Sequence, residues 1–185
     1  MKIAIIMEGK TERAFLPCLR DFLKNHLVGA MPKFDPRPYD GHIPKKDKLK
    51  KEGELFLTGR HAADHVMALT DVYTGSNPPD FADAQDAVAK MRQWVGDEPR
   101  FHPHAAQYEF EAWLLPYWPT SQQLARHNKK APATNPETVN HRKPPSQWIK
   151  EIFQIGNCGR SYIKTRDASR ILRENDLTAA VEQCF

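Results

Sequence analysis

The chain has 185 residues, of which 40% are apolar, with four Trp and nine Phe. That is long enough for one domain with its own core and too apolar for a disordered chain. Lys and Arg number 27 against 23 Asp and Glu, so the net charge of +4 permits a nucleic-acid partner without requiring one.

The first stretch, Lys2-Ile3-Ala4-Ile5-Ile6-Met7, reads as a buried strand that ends abruptly in Glu8-Gly9. Gly9 lets the backbone turn sharply, and Thr11 is expected to cap the helix that follows, with Glu12 in its first turn. Glu8 then stands at the carboxyl end of an inner strand, the edge where open α/β sheets bind ligands. A carboxylate there is costly to desolvate unless a cation or hydrogen-bond donor meets it. The plain alternative is a turn carboxylate bonded to nearby amides. Phe15, Leu16, Leu19, Phe22, Leu23 and Leu27 recur at helical spacing, predicting a helix from Thr11 to about Val28 with Pro17 near its start. Phe34 to Gly41 holds two prolines and suits an edge strand.

Lys45-Lys46-Asp47-Lys48-Leu49-Lys50-Lys51 is a dense basic run, either a solvated helix face or a contact for a phosphate backbone. Helix is expected over 50–63. His65 to Asp71 is a second strong strand, again ending in a carboxylate. Two parallel strands of this kind would bring Glu8 and Asp71 together at one sheet edge, an arrangement suited to Mg²⁺, which takes one or two carboxylates plus water and substrate phosphate. Asp71 could equally be a turn-initiating Asp. A helix over 81–95 and a short strand over 100–107 follow. Glu109 and Glu111 stand two apart, a spacing that separates side chains around a helix. One is therefore expected to face the site and the other a structural partner, with Glu109, nearer the strand end, favoured for the site. His102 and His104 lack further ligands at zinc spacing.

The last third is polar and basic. A short helix and loop over 120–140, a helix over 146–153 and two terminal helices over 167–172 and 176–184 are expected. Arg142, Lys143, Lys150, Arg160, Lys164 and Arg166, with Trp148 and Tyr162 between them, read either as a nucleic-acid groove or as core aromatics beside solvated charges. Cys158 has no recognisable partner base, so a loop or core thiol is expected rather than a nucleophile. The three cysteines, Cys18, Cys158 and Cys184, form no close pair and fit reduced thiols. No apolar run approaches the ~20 residues of a membrane span, and the N-terminus opens on a strand rather than a signal peptide, so a cytoplasmic location is expected. No P-loop motif is present.

Met7-Glu8-Gly9-Lys10-Thr11-Glu12-Arg13-Ala14-Phe15-Leu16-Pro17 resembles the opening motif of Toprim-related nucleases, especially the nuclease half of the OLD (overcoming lysogenisation defect) family. With Asp71-Val72-Tyr73, Gln107-Tyr108-Glu109-Phe110-Glu111-Ala112, Lys143-Pro144-Pro145-Ser146 and Tyr162-Ile163-Lys164, the chain resembles a small bacterial Toprim-like family found beside AAA or ABC-type ATPases.

The resemblance implies an α/β fold, a mostly parallel sheet of about four strands flanked by helices. Residues 1–115 would be the Toprim-like core and 116–185 a helical extension packed on the same domain. It implies a Mg²⁺ or Mn²⁺ site that cleaves DNA or tRNA, with Glu8, Glu12 and Lys164 catalytic and Glu8, Asp71, Glu109 and Glu111 facing metal. Lys10, Lys45, Lys46, Lys48, Lys143 and Arg160 would contact nucleic acid. An ATPase partner, a role in phage defence and a homo-oligomer belong to the same expectation. Toprim sites usually carry Asp-x-Asp after the middle strand; here Tyr73 takes the second position and the next acid is Asp80. That departure favours a rival reading, a catalytically inactive regulatory subunit of an ATPase complex. Phosphoryl or nucleotidyl transfer by the same carboxylates is a third.

Overall fold

A computed structural model describes residues 1–39, 41–72, 79–132, 135–139 and 143–184. Tyr73 and Arg142 lie outside the described residues. The chain forms two compact units, Met1–Arg13 with His26–Ala106, and Ala14–Asn25 with Gln107–Phe185.

The first unit is built on a four-stranded sheet of β1 (Lys2–Met7), β2 (Lys33–Pro38), β3 (His65–Asp71) and β4 (Phe101–Ala106), in the order β2-β1-β3-β4. All pairings are parallel, as the α/β expectation requires. Strand β1 lacks alternation because both of its faces are buried: Ala4 and Ile6 on one side, Ile5 and Met7 on the other. Ala4, Ile6, Val66, Ala68 and Phe101 form one core with Leu49 and Leu57 of α2 (Asp47–Thr58) and Ala87, Met91 and Val95 of α3 (Ala84–Val95).

The prolines sit where a parallel sheet can take them. The Lys33 and Tyr39 amides bond inward to Met1 and Met7. The two-residue period then turns Phe34, Pro36 and Pro38 to the outer edge. On β4, the carbonyls of Arg100 and Ala106 accept from Val66 and Val72, so Pro103 also faces outward. Proline has no amide to offer, so both outer strands lose donors that a further strand would need.

Several boundaries differ from expectation. Helix α1 spans Lys10–His26, so Thr11 is a buried first-turn residue rather than the cap. Pro17 lies two turns in, and the helix continues past it with one hydrogen bond fewer. Helix α2 takes in the basic run from Asp47 and stops at Thr58, short of residue 63. There Gly59 turns extended, and a Cβ on it would meet the Leu55 carbonyl oxygen at 2.6 Å. Helix α3 starts later than residue 81 because Asp83 caps it, accepting the Asp86 amide at 2.7 Å.

The second unit holds a 3-10 segment over Phe110–Tyr117, α4 (Trp118–Ala125), α5 (Pro145–Ile155), a π turn over Lys164–Ala168, α6 (Ser169–Arg173) and α7 (Thr178–Gln183). Gly156 lets the end of α5 approach Ala125 closely, since a Cβ there would lie 2.1 Å from the Ala125 carbonyl oxygen. Cys18, Cys158 and Cys184 are free thiols. Among the described residues, no helix is long and apolar enough to cross a membrane.

Candidate active site

From β1 the chain crosses to β2 on one side, and from β3 to β4 on the other. The carboxyl ends of β1 and β3 therefore flank the point where the winding reverses, where such sheets open a crevice. Register pairs Met7 with Leu69, which sets Glu8 beside Thr70. The Thr70 hydroxyl donates to Glu8 Oε1, and the Asp71 amide donates to the same oxygen at 3.2 Å. Glu8 is thus oriented by the neighbouring strand, as well as by its position at the turn.

Burial pushes the Glu8 carboxyl above its ordinary value; the Thr70 hydroxyl, the Asp71 amide and nearby His42 oppose this, while Glu12 adds to it. Glu12 is buried in the first turn of α1, and a Cβ on Gly9 would stand 3.6 Å from its Oε2. Glu8, Thr70 and Asp71 line one pocket with His42, Ile43, Lys45, Asp80 and Phe81. Lys45 Nζ bonds Asp80 Oδ2 at 2.5 Å across it.

The structure brings Glu8, Asp71 and Lys45 together and sets Glu12 close to Glu8. Lys10, Lys46 and Lys48 are exposed. His42, Thr70 and Asp80 had no place in the expected site. Thr70 could have been found, because a hydroxyl one residue before the strand-end acid has the right parity to face Glu8. His42 and Asp80 come from loops with no periodic signal.

The other expected residues belong to the second unit, where the scattered motifs meet one another. Glu109 accepts from the Ser146 amide at 2.9 Å and its hydroxyl at 3.0 Å, capping the start of α5. Glu111 has no exposed side-chain surface and pairs with Lys164 at 3.0 Å, with the Tyr162 hydroxyl 3.5 Å away. Burial raises the Glu111 carboxyl, with Lys164 opposing. Lys143 and Lys129 converge on Glu151 and lie over the Trp148 ring, at 4.0 and 5.3 Å. Arg160 binds buried Asp167 at 2.7 Å. On the sheet, His65 Nδ1 and His102 Nε2 share a 3.0 Å contact.

Among the described residues, no three His, Cys, Asp or Glu side chains converge closely enough to hold a metal by themselves. The Glu8 and Asp71 carboxylates in the pocket suit a hard divalent cation that keeps water and takes the rest of its ligands from a phosphate.

The chain is similar in structure to the C-terminal region of the Burkholderia pseudomallei OLD protein, at 14% identity, a TM-score of 0.48, and coverage of 98% of this chain and 96% of that one. It is similar also to the C-terminal region of the Xanthomonas campestris pv. campestris OLD protein, at 12% identity, a TM-score of 0.42, and coverage of 98% and 93%. No curated protein matches the chain. The profile described as "Domain of unknown function (DUF4276)" matches residues 7–185, and the chain belongs to that family.

Proposed function

We propose that the chain is a Mg²⁺- or Mn²⁺-dependent nuclease of Toprim type that hydrolyses phosphodiester bonds in DNA or RNA. The observation that carries this reading is the pair of acids at the switch point of a parallel sheet, with Glu8 locked by Thr70 and the Asp71 amide. The motif resemblance set out above supports it.

Asp71 would hold the cation, with Glu8 beside it as the base and Glu12 behind them. A bound divalent cation supplies charge for the developing negative oxygens and lowers the pKa of water. The chain's own part is proton handling and orientation. Both described hydrogen bonds to Glu8 fall on Oε1, so Oε2 is the atom to accept the proton of the attacking water. As the new P–O bond forms, the bond from phosphorus to the leaving sugar oxygen breaks, and that oxygen takes a proton from solvent.

Lys164, by the motif resemblance, would steady a scissile phosphate. An AAA or ABC-type ATPase would be the partner and phage defence the setting. The test is cleavage of DNA and tRNA with Mg²⁺ or Mn²⁺. Glu8→Gln and Asp71→Asn should each abolish cleavage while circular dichroism and melting stay near wild type. Undiminished cleavage in both variants overturns the site.

A further inference from the structure

The geometry points to Lys45 as the residue that binds the substrate phosphate at the Glu8–Asp71 pocket, with Asp80 as the residue that positions it; this rests on the phosphodiester reading above. The basic run does not act as one patch. Lys46, Lys48, Lys50 and Lys51 are exposed on or beside α2, whereas Lys45 lines the pocket with Glu8, Thr70 and Asp71.

The placement of Lys45 is prepared from both sides. Before it, Ile43 is 2% exposed within the core. After it, its carbonyl accepts the Lys48 amide, and Lys46 holds a φ of 51° that a non-glycine residue rarely adopts. Asp80 is held equally firmly. Its neighbour Phe81 is 4% exposed, and Lys90 of α3 donates to the Asp80 carbonyl at 3.2 Å.

The Lys45 and Asp80 side chains are 38% and 40% exposed. Pairs so exposed contribute only about 0–1 kcal/mol to stability. Fold maintenance therefore gives little reason for two anchored loops to present a lysine ammonium to a wall of carboxylates. An ammonium at that place offers what Glu8 and Asp71 cannot, a donor for phosphate oxygens beside a cation held by the acids. Asp80 keeps the flexible stem of Lys45 turned into the pocket until phosphate replaces it.

The experiment measures Mn²⁺ binding, then binding of thymidine 5′-phosphate to the Mn²⁺-loaded full chain, by calorimetry and by ³¹P line broadening. Lys45→Ala should keep Mn²⁺ affinity and lose about tenfold or more in phosphate affinity, since each tenfold step is about 1.4 kcal/mol. Lys45→Arg should stay within about threefold of wild type, because the charge and donors persist. Asp80→Asn should keep Mn²⁺, weaken phosphate by an intermediate factor, and be rescued by Asp80→Glu. Melting curves of all four should match wild type. Unchanged phosphate affinity in Lys45→Ala, or a wild type that binds Mn²⁺ but no phosphate, overturns the assignment and leaves the carboxylate site standing. A wild type that binds no Mn²⁺ overturns the carboxylate reading, and the assignment with it.

Discussion

Replacing Thr70 with valine keeps the shape of a side chain that is 2% exposed and removes one hydroxyl. That hydroxyl donates to Glu8 Oε1, and hydrogen bonds to charged groups contribute about 1.5–3 kcal/mol. Oε1 retains the Asp71 amide at 3.2 Å, which sets the loss near the lower end, about 1.5 kcal/mol. For a chain of this size the melting temperature should fall about 3–6 °C at neutral pH.

The pH dependence is the sharper test. Burial raises the Glu8 carboxyl, and the Thr70 hydroxyl is the leading influence that lowers it. A folded-state value above the unfolded one means that ionising Glu8 costs folding free energy as pH rises through the interval between them. Valine raises the folded value further and enlarges that cost. The gap in stability between wild type and Thr70→Val should therefore be small near about pH 4, where Glu8 is protonated in both, and widen toward pH 7. Urea titrations followed by Trp fluorescence at the two pH values measure it. An equal gap at both, or a wider one in acid, refutes the claim that Thr70 holds an ionised Glu8.

Gly156→Ala places a Cβ 2.1 Å from the Ala125 carbonyl oxygen and 2.8 Å from that of Ile152. Thermal unfolding should show a loss of about 3 kcal/mol or more, and a wild-type melting curve would contradict the close approach. Lys46 has φ 51° and ψ −132°, so Lys46→Gly should raise stability by up to about 1 kcal/mol, the strain relieved less the entropy that glycine adds to the unfolded chain; a clear loss in chemical denaturation would count against strain. Asp167→Asn should destabilise the fold by about 2 kcal/mol at pH 7, less than a fully buried pair because Arg160 and Arg166 are 29% and 47% exposed. Burial pushes Asp167 up, but Arg166, the Ile163 amide and Arg160 together hold it below the usual carboxylate value. Its stabilisation is therefore present above the unfolded carboxylate pKa and lost as pH falls through the folded one, so acid titration should bring variant and wild type together.

The strands and their order along the chain are legible from residues alone. Runs such as Lys2–Met7 and His65–Asp71 carry their apolar signal locally, and a strand end followed by an acid and a turn is a local pattern. Parallel pairing puts neighbouring strand ends on one edge, so the meeting of Glu8 with Asp71 follows from two strands already visible in the sequence. The acids at 109 and 111 could not be read in this way. Glu109, favoured for the site, spends both carboxylate oxygens on Ser146, 37 residues away. Glu111 is buried against Lys164 and Tyr162. A carboxylate's partner is set by what packs against it, and no periodicity records that. The same holds for Lys45. A seven-residue run with five lysines gives no sign that one of them is turned into a carboxylate pocket while the others meet water. That depends on where Ile43 and Phe81 are buried, and so on the packing of α2 and α3 against the sheet.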